Sequence, residues 1–302
     1  MAIYSVLSSS AYYSKQREES IQDPAFAERI PLRAMRRMSR IVKLGLFSCL
    51  ETIDQAQISE PGIIVSGTGF GCIDQTYQFL SKLYTSDKED LLPPAPFMQS
   101  THNTVSGAIA LYLKNHAYNN VITHDSLAFE LALEDAIFAL EDEDEQYALL
   151  FAIDELTPEL KQLKSELDKK FSLPNSLGEG CFSFILAKGE SNNALAEICY
   201  NKIYACSFIE EKENLKTLIQ KYNIDTIIQN NTAIKQEDVS DLGVNVIKVS
   251  EECHFFPSSG GYGLTKALEL FKQQQGVCNV IIYHKSFGNL SSIIVVRKGR
   301  NI

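Results

Sequence analysis

The 302-residue sequence contains no tryptophan and few residues that interrupt regular structure, with 16 glycines and 9 prolines. This composition excludes collagen-like structure, and the 45% hydrophobic content excludes a chain that stays disordered. Basic residues are too few to balance the acidic ones, which leaves a net charge of −10. Because duplex affinity comes mostly from lysine and arginine on phosphates, this balance argues against a nucleic-acid partner. The length suffices for one large domain or two of about 150 residues.

Long apolar runs are also missing. No stretch of about 18 uncharged apolar residues occurs, so we expect no transmembrane helix and no membrane partner. The N-terminal segment has neither a basic stretch nor a long apolar core, so we do not expect a signal peptide. Seven cysteines are scattered without a CxxC pair, which disfavours a structural zinc site. We therefore expect a cytoplasmic protein with free thiols.

The usual short motifs of hydrolases and metalloenzymes are absent. No GxSxG elbow occurs, and no histidine pair has HExxH spacing, so we expect no metal and no cofactor. The run His124-Asp125-Ser126 resembles a compressed triad. If these residues lie on a strand, His124 and Ser126 share one face while Asp125 points away, so they cannot form a triad.

A glycine-rich turn spans Gly67 to Gly71 between a buried strand and a helix. Such a turn suggests a phosphate cradle, but the dinucleotide fingerprint requires glycine where Cys72 stands. We therefore favour a turn that lets strand and helix pack closely. A second feature is the basic cluster from Arg33 to Lys43, which we interpret as a solvated helix face. A patch for an acidic partner is the alternative.

Short apolar strands alternate with amphipathic helices along the whole chain, which predicts an α/β sheet covered on both faces. Four elements are predicted from less regular patterns. They are a strand limited to Ala2–Leu7, one continuous helix over Leu32–Ile53, a loop at Pro93–Pro96 and a strand over Lys202–Phe208. No short-period repeat stands out. A shift in composition near Glu190 provides the best internal boundary.

Five segments in order now resemble one family, the β-ketoacyl synthases of the thiolase fold. They are RRMSR at 36–40, IIVSGTGFG at 63–71, THNTVSGAIAL at 101–111, GEGCFSFILAK at 178–188, and CHFFPSSGGYGLTKAL with KSFGNLSSIIVVRK at the end of the chain. The resemblance implies a layered α/β/α/β/α unit built from two βα halves, residues 1–190 and a shortened 191–302.

Condensing members of this family use a cysteine thiolate at a helix N-terminus and two histidines. Here the nucleophile position falls on Ser126 or Leu127, and serine is a poor substitute because its hydroxyl is hardly ionised. The first histidine is replaced by Asn230, whereas His254 matches the second. The family's lysine is approximated by Lys248, and Phe287 in the SFG loop matches a substrate gate.

Two of the three catalytic groups are therefore missing, and this pattern is similar to non-condensing chain-length or chain-initiation factors of type II polyketide systems, among them the aryl-polyene and flexirubin types. The resemblance implies partnership with an acyl carrier protein and with an active ketosynthase, or with a second copy of the chain. The dimer interface would include Thr101, Asn103, Val121 and Thr123.

Two other hypotheses remain open. In the first, the chain is an acyltransferase or decarboxylase in which His254 acts as acid or base, Asn230 as an oxyanion donor and Ser126 as an acyl acceptor. In the second, it is a binding or scaffold module whose tunnel is filled by Phe129, Phe255 or Phe256.

Overall fold

A computed structural model of the chain describes residues 2–16, 19–85, 92, 94–171, 176–205, 207–231, 239–249, 252–274, 276–286 and 290–300. The strands are β1 (Tyr4–Tyr13), β2 (Ile63–Thr68), β3 (Asn119–Thr123), β4 (Tyr147–Asp154), β5 (Gly180–Lys188), β6 (Ala196–Ala205), β7 (Thr226–Asn231), β8 (Asn245–Lys248), β9 (Asn279–Lys285) and β10 (Leu290–Lys298). The helices are α1 (Leu32–Met35), α2 (Arg40–Ala56), α3 (Ile73–Thr85), α4 (Pro94–Met98), α5 (Thr104–Leu113), α6 (Ala128–Asp142), α7 (Pro158–Phe171), α8 (Phe208–Tyr222) and α9 (Gly261–Gln273).

The sheet has the strand order β3-β2-β4-β5-β1-β6-β10-β9-β7-β8. The first five strands of the chain occupy one side and the last five occupy the other in the mirrored order. In each half the second strand lies between the third and the fourth and runs parallel to both. The two halves meet where β1 pairs with β6 over three residues. The chain therefore contains the same sheet topology twice.

Three hydrophobic clusters show how the helices cover this sheet. The largest lies between the halves and combines Phe129 of α6 and Leu268 of α9 with Phe184 of β5 and Ile282 of β9. A second cluster packs α2 and α5 against the outer face of the first half, and a third packs α8 against the second half. One layer of helices thus lies between the two sheet halves, and a further layer covers the outer face of each half. Burial of each large apolar side chain stabilises this arrangement by about 1.5–3 kcal/mol.

Coverage on both faces explains why several strands are continuous apolar runs instead of alternating patterns. Seven of the eight residues of β4 are buried, as are eight of the nine residues of β5. Among the described residues no helix is both long and apolar enough to cross a membrane.

Four local predictions were wrong. β1 continues beyond the predicted end at Leu7 to Tyr13, because serine hydroxyl groups in this segment donate to residues of α2. Ser8 donates to the Thr52 carbonyl at 2.7 Å and Ser10 to the Glu51 carboxylate at 2.5 Å. Buried serines that are hydrogen-bonded in this way fit an inner strand.

The predicted helix Leu32–Ile53 is divided into α1 and α2, since Gln99 accepts the Ser39 backbone N–H where the break occurs. The proline loop contains the short helix α4, which begins with proline at a position where its missing N–H costs nothing. β6 begins at Ala196, and Phe208 belongs to α8 because Ser207 and Glu210 form a capping box there.

Candidate functional site

The N-terminus of α6 is the position at which the resemblance places the nucleophile. β3 ends at Thr123, and the chain then makes a short turn before α6 begins at Ala128. Ser126 and Leu127 are both fully buried in this turn. The strand geometry assumed for His124-Asp125-Ser126 was wrong, because β3 ends at Thr123, but the prediction that these residues form no triad agrees with their contacts. Asp125 Oδ1 lies 2.9 Å from His124 Nδ1 and accepts the Ser126 hydroxyl proton at 2.9 Å.

This contact does not create a catalytic triad. His124 Nδ1 accepts the backbone N–H groups of Ser126 and Leu127 at 3.2 and 3.1 Å, so the ring caps the start of α6. In a triad the serine hydroxyl bonds to histidine, which removes its proton. Here the Ser126 hydroxyl bonds to a carboxylate instead. His124 therefore has a structural role at the turn.

Asp154, at the end of β4, was missed by the sequence analysis and organises the surrounding loops. Its Oδ1 accepts the Thr68 hydroxyl at 2.8 Å and the N–H groups of Gly69 and Phe70 at 3.0 and 2.8 Å. Its Oδ2 accepts the Ser258 N–H at 2.9 Å. Burial raises the pKa of the Asp154 carboxyl, and these hydrogen bonds oppose the rise.

The glycine turn therefore directs its N–H groups at an internal carboxylate. A Cβ on Gly67 would lie 2.3 Å from the Ala128 carbonyl oxygen, so only glycine lets β2 approach the start of α6 this closely. A Cβ on Gly69 would lie 2.2 Å from Pro257. This geometry agrees with the interpretation that the glycines let strand and helix pack closely. The N–H groups of Gly69 and Phe70 are hydrogen-bonded to Asp154.

His254 lies on the loop before α9 and is 6% exposed. Its Nδ1 is 2.8 Å from the Ser176 hydroxyl. The segment that contains Gly178 runs beside this loop, since the Gly178 N–H donates to the Phe255 carbonyl at 2.9 Å. A Cβ on Gly178 would lie 2.9 Å from His254 Cβ, which explains the glycine in the GEGC segment. Phe256 and Phe129 are fully buried, in the largest core cluster.

The remaining catalytic candidates belong to the second half. Asn230 is nearly buried near the end of β7, directly opposite His284 of β9 in the sheet register. Lys248 is exposed at the end of β8. Phe287 lies outside the described residues. A Cβ on Gly69 would meet both Pro257 and the His124 carbonyl oxygen, and Asn230 lies opposite His284, which contacts Glu130 of α6. Residues next to His254 in the chain and next to Asn230 in the sheet thus lie close to the start of α6.

Two buried pairs of polar side chains near the end of β9 were not foreseen from the sequence. His284 Nδ1 lies 2.5 Å from Glu130 Oε1 of α6, and both side chains are 1% exposed. On the other face of β9, Lys285 Nζ lies 2.5 Å from Glu211 of α8, which also accepts the Tyr283 hydroxyl at 2.8 Å. Alternating sides of a strand carry these residues, but only the tertiary structure supplies the two glutamates.

The candidate interface residues lie on the first half. Thr101 and Asn103 are exposed in the loop before α5, where the Thr101 hydroxyl donates to Asn103 Oδ1 at 2.6 Å. Val121 is partly buried and Thr123 is exposed on β3. Within the described strands, β3 pairs only with β2 and forms one edge of the sheet.

The described cysteines do not supply an activated thiol near this centre. Burial raises the pKa of Cys72 to about 12, and it raises that of Cys181 to about 12 as well. Within the described part of the chain, no group of three or more histidine, cysteine, aspartate or glutamate side chains could hold a metal ion.

Comparisons with known proteins place this geometry in a family. The family model described as "Beta-ketoacyl synthase, N-terminal domain" matches residues 11–195, which is more than half of the chain. No curated protein matched. Solved structures do: "The ishigamide ketosynthase/chain length factor" is 14% identical with a TM-score of 0.76 and 98% and 99% of the two chains covered.

A β-ketoacyl synthase from Burkholderia phymatum STM815 is 12% identical with a TM-score of 0.77, covering 99% of this chain and 100% of that one. A ketosynthase solved with its type II acyl-carrier protein, named AntDE:AntF, is 14% identical with a TM-score of 0.76, covering 99% and 100%. These similarities confirm the predicted thiolase-type α/β fold. Together with the family model, they show that this chain belongs to the β-ketoacyl synthase family.

Proposed function

We propose that this chain is a non-condensing, ketosynthase-like subunit of an acyl-carrier-linked polyketide or fatty-acid system. It acts by assembling with an active ketosynthase. The printed descriptions of similar structures include a ketosynthase/chain length factor and a ketosynthase in complex with an acyl-carrier protein. Those descriptions support the class of partner, and the residues of this chain support the non-condensing role.

The proposal depends on which residues stand at the N-terminus of α6. A helix N-terminus lowers the pKa of a cysteine placed there, and the condensing members of the family depend on that thiolate. In this chain the position holds Ser126 or Leu127, and the sequence has no cysteine between Cys72 and Cys181. The Ser126 hydroxyl donates to the exposed carboxylate of Asp125 and not to a histidine, so it lacks the strong adjacent base that would ionise it.

The edge formed by β3 supports assembly with a second subunit. An unpaired strand edge presents backbone N–H and C=O groups that another strand can pair with. The helix α5 packs against β3, and its Leu111 side chain is 80% exposed beside this edge. The interface that we propose therefore includes Thr101, Asn103, Val121 and Thr123.

A basic patch supports the carrier protein as a further partner. Arg33, Arg36 and Arg37 are exposed, and no carboxylate among the described residues lies within 4.0 Å of them. Gln99 of the segment after α4 accepts the Ser39 N–H and donates to the Arg37 carbonyl, which holds the patch against that segment. On a chain of net charge −10, this local excess of positive charge suits an acidic carrier surface.

The test is to mix the purified chain with its candidate ketosynthase and determine the mass of the product by size exclusion with light scattering. A single species with the mass of one copy of each is expected. Two independent peaks would contradict the proposal. A carbon-dioxide release assay with a malonyl thioester then checks that the chain alone does not decarboxylate, with the His254→Ala variant as control.

A further inference from the structure

Helix α3 lies on the surface of the first half and leaves its apolar side exposed. None of its 13 residues is buried, and its main packing partner among the described elements is the short helix α4. The two helices meet at the rings of Phe79 and Phe97, whose centroids are 5.1 Å apart. The Thr76 hydroxyl donates to the Ser100 carbonyl at 3.0 Å and ties α3 to the segment that follows α4. The two helices therefore form one surface unit.

Large apolar side chains are concentrated on this unit. In the described part of the chain eleven large hydrophobic side chains are exposed, and six of them belong to α3 and α4. On α3 they recur three, four or seven positions apart and therefore share one face, namely Tyr77, Leu80, Leu83 and Tyr84. The charged residues of α3, Asp74 and Lys82, fall on another face at about 3.6 residues per turn. α4 contains no charged residue and adds Phe97 and Met98. We call these six residues the α3–α4 surface.

The exposed area suits a stable contact with another protein. An aromatic side chain accounts for about 150–250 Å², and Tyr84 is 85% exposed and Met98 73%. Taken together, the six side chains expose on the order of 600 Å². The largest apolar patch on a typical monomer is about 300–600 Å², and each partner in an interface of standard size contributes about 800 Å². The α3–α4 surface is therefore large for a face left in water and supplies most of the area that a stable contact needs.

The composition and the position of the α3–α4 surface select the kind of partner. Interface cores are enriched in tyrosine, phenylalanine and methionine and depleted in charged residues, as this surface is. An acidic carrier protein or an anionic membrane would require basic residues at the contact, and the six residues include none. The segment from Ser100 leads directly to Thr101, so the surface is continuous with the interface proposed above. These features fit a permanent subunit with an apolar face.

We propose that the α3–α4 surface is the principal contact of this chain with the active ketosynthase. The inference rests on the proposed function, because that function names the ketosynthase as the partner. The partner should present an apolar and sparsely charged face, since removal of this surface from water is the favourable term. Tyr84 and Met98, the most exposed of the six residues, are the anchors, because interface energy is concentrated in a few large side chains.

The experiment measures dissociation constants for the candidate ketosynthase by biolayer interferometry with two double variants. Tyr84→Asp/Met98→Asp places two charges on the α3–α4 surface, whereas Leu163→Asp/Ile209→Asp places two charges at exposed apolar positions of α7 and α8. We expect the first variant to bind about 100-fold more weakly than the natural chain. The second should stay within about threefold of it. Both alter exposed side chains, so both should melt within about 3 °C of the natural chain.

Equal affinities of the two double variants would overturn the inference and leave the proposed function standing. Absence of any complex with the natural chain would instead reject the proposed function. If the first double variant does not fold, Tyr84→Asp alone decides, since Tyr84 is the most exposed of the six residues. Hydrogen exchange on the natural chain needs no substitution: the amides of α3 and α4 should exchange more slowly in the complex. Unchanged exchange in both helices would also contradict the inference.

Discussion

Arg40 at the start of α2 binds Glu179 beside β5 through two parallel hydrogen bonds, Nη1 to Oε2 at 2.9 Å and Nη2 to Oε1 at 2.8 Å. Glu179 is fully buried and also accepts the backbone N–H groups of Ile21 and Leu156. Burial alone would lower the pKa of the Arg40 guanidinium, but Glu179 and Asp23 raise it overall. Two motifs that carried the family resemblance, RRMSR and GEGC, are thus joined by one structural ion pair.

Removing the charge of Glu179 should destabilise the fold. Glu179→Gln leaves the partly exposed Arg40 guanidinium with Asp23 but without its bidentate partner, so we expect a loss of about 2–3 kcal/mol in the free energy of unfolding. Glu190→Gln is the matched control, since Glu190 also pairs with arginines but is 44% exposed. That variant should lose about 0–1 kcal/mol. Urea denaturation measures both values, and equal losses would contradict the special role of the buried pair.

The stability of the protein should fall as the pH rises from about 4.5 to about 7. Burial, followed by the nearby charge of Asp74, raises the pKa of Glu155 from 4.5 to about 7. The folded state therefore holds this proton more tightly than the unfolded state, and its contribution is fully present below pH 4.5. It is lost as the pH passes through the folded value, by about 3 kcal/mol at most.

Urea unfolding at several pH values tests this dependence in the natural chain and in Glu155→Gln. The variant cannot ionise at this position, so its stability should change less between about pH 4.5 and about pH 7, the range in which the Glu155 contribution is lost. Parallel curves for the two proteins would show that Glu155 is not the group responsible.

Leu111 should matter for assembly with a ketosynthase. Leu111→Arg places a charge on the exposed apolar side of α5 near the β3 edge, so the complex should weaken by at least about tenfold. Ile209→Arg is the control, because Ile209 is a comparably exposed apolar residue, 77% against 80%, on α8 of the other half. Dissociation constants from biolayer interferometry give the comparison. If both variants bind equally, the β3 side of the molecule is not the interface.

The basic patch should govern binding of the carrier protein. Arg36→Glu/Arg37→Glu reverses two exposed charges, and we expect affinity for the carrier to fall by about tenfold or more at low salt. Lys216→Glu/Lys221→Glu on α8 changes the net charge equally at another exposed place and should have little effect. Fluorescence anisotropy with a labelled carrier protein measures both. Equal losses would indicate a general effect of net charge.

Restoring a thiol should not restore condensation. Ser126→Cys and Leu127→Cys each place cysteine at the α6 N-terminus, yet Asn230 still stands where condensing relatives use a histidine. We expect neither variant to form a product from acyl and malonyl thioesters above the background of the natural chain. Mass spectrometry after acyl-thioester treatment would show which of the two positions accepts an acyl group. Efficient condensation by either variant would contradict the non-condensing assignment.

Much of the fold could be predicted from the sequence because its strands are short apolar runs and its helices are strongly periodic. The sequence pattern predicts a helix over Pro158–Phe171 and a strand over Tyr147–Asp154, and α7 and β4 have these bounds. The prediction failed where local pattern and tertiary contact disagree. The serines of β1 read as irregular because nothing nearby in the chain shows that α2 will accept their hydroxyl protons.

The candidate site likewise has features that the sequence shows and features that only the structure shows. The absence of a cysteine between Cys72 and Cys181, the asparagine at 230 and the presence of His254 are properties of the sequence, and they are the basis of the proposal that the chain does not condense. The boundary near residue 190 and the roles of Thr101, Asn103, Val121, Thr123 and Phe287 stay predictions. The predicted direction of the Asp125 side chain was wrong because β3 ends at Thr123, before the residues that the prediction placed in a strand. A small difference in where a strand ends thus changes the direction of a side chain.

The sequence by itself determined the fold class, the family resemblance and the absence of a cysteine between Cys72 and Cys181, because these depend on residue type and order. Only the tertiary structure decided how the buried charges are satisfied. Asp154, Glu179 and Glu130 each find their partners on segments distant in the chain, and Glu130 meets His284 across 154 positions. A sequence shows that a carboxylate exists, but the free energy of burying it depends on which donors and helix termini the fold brings to it.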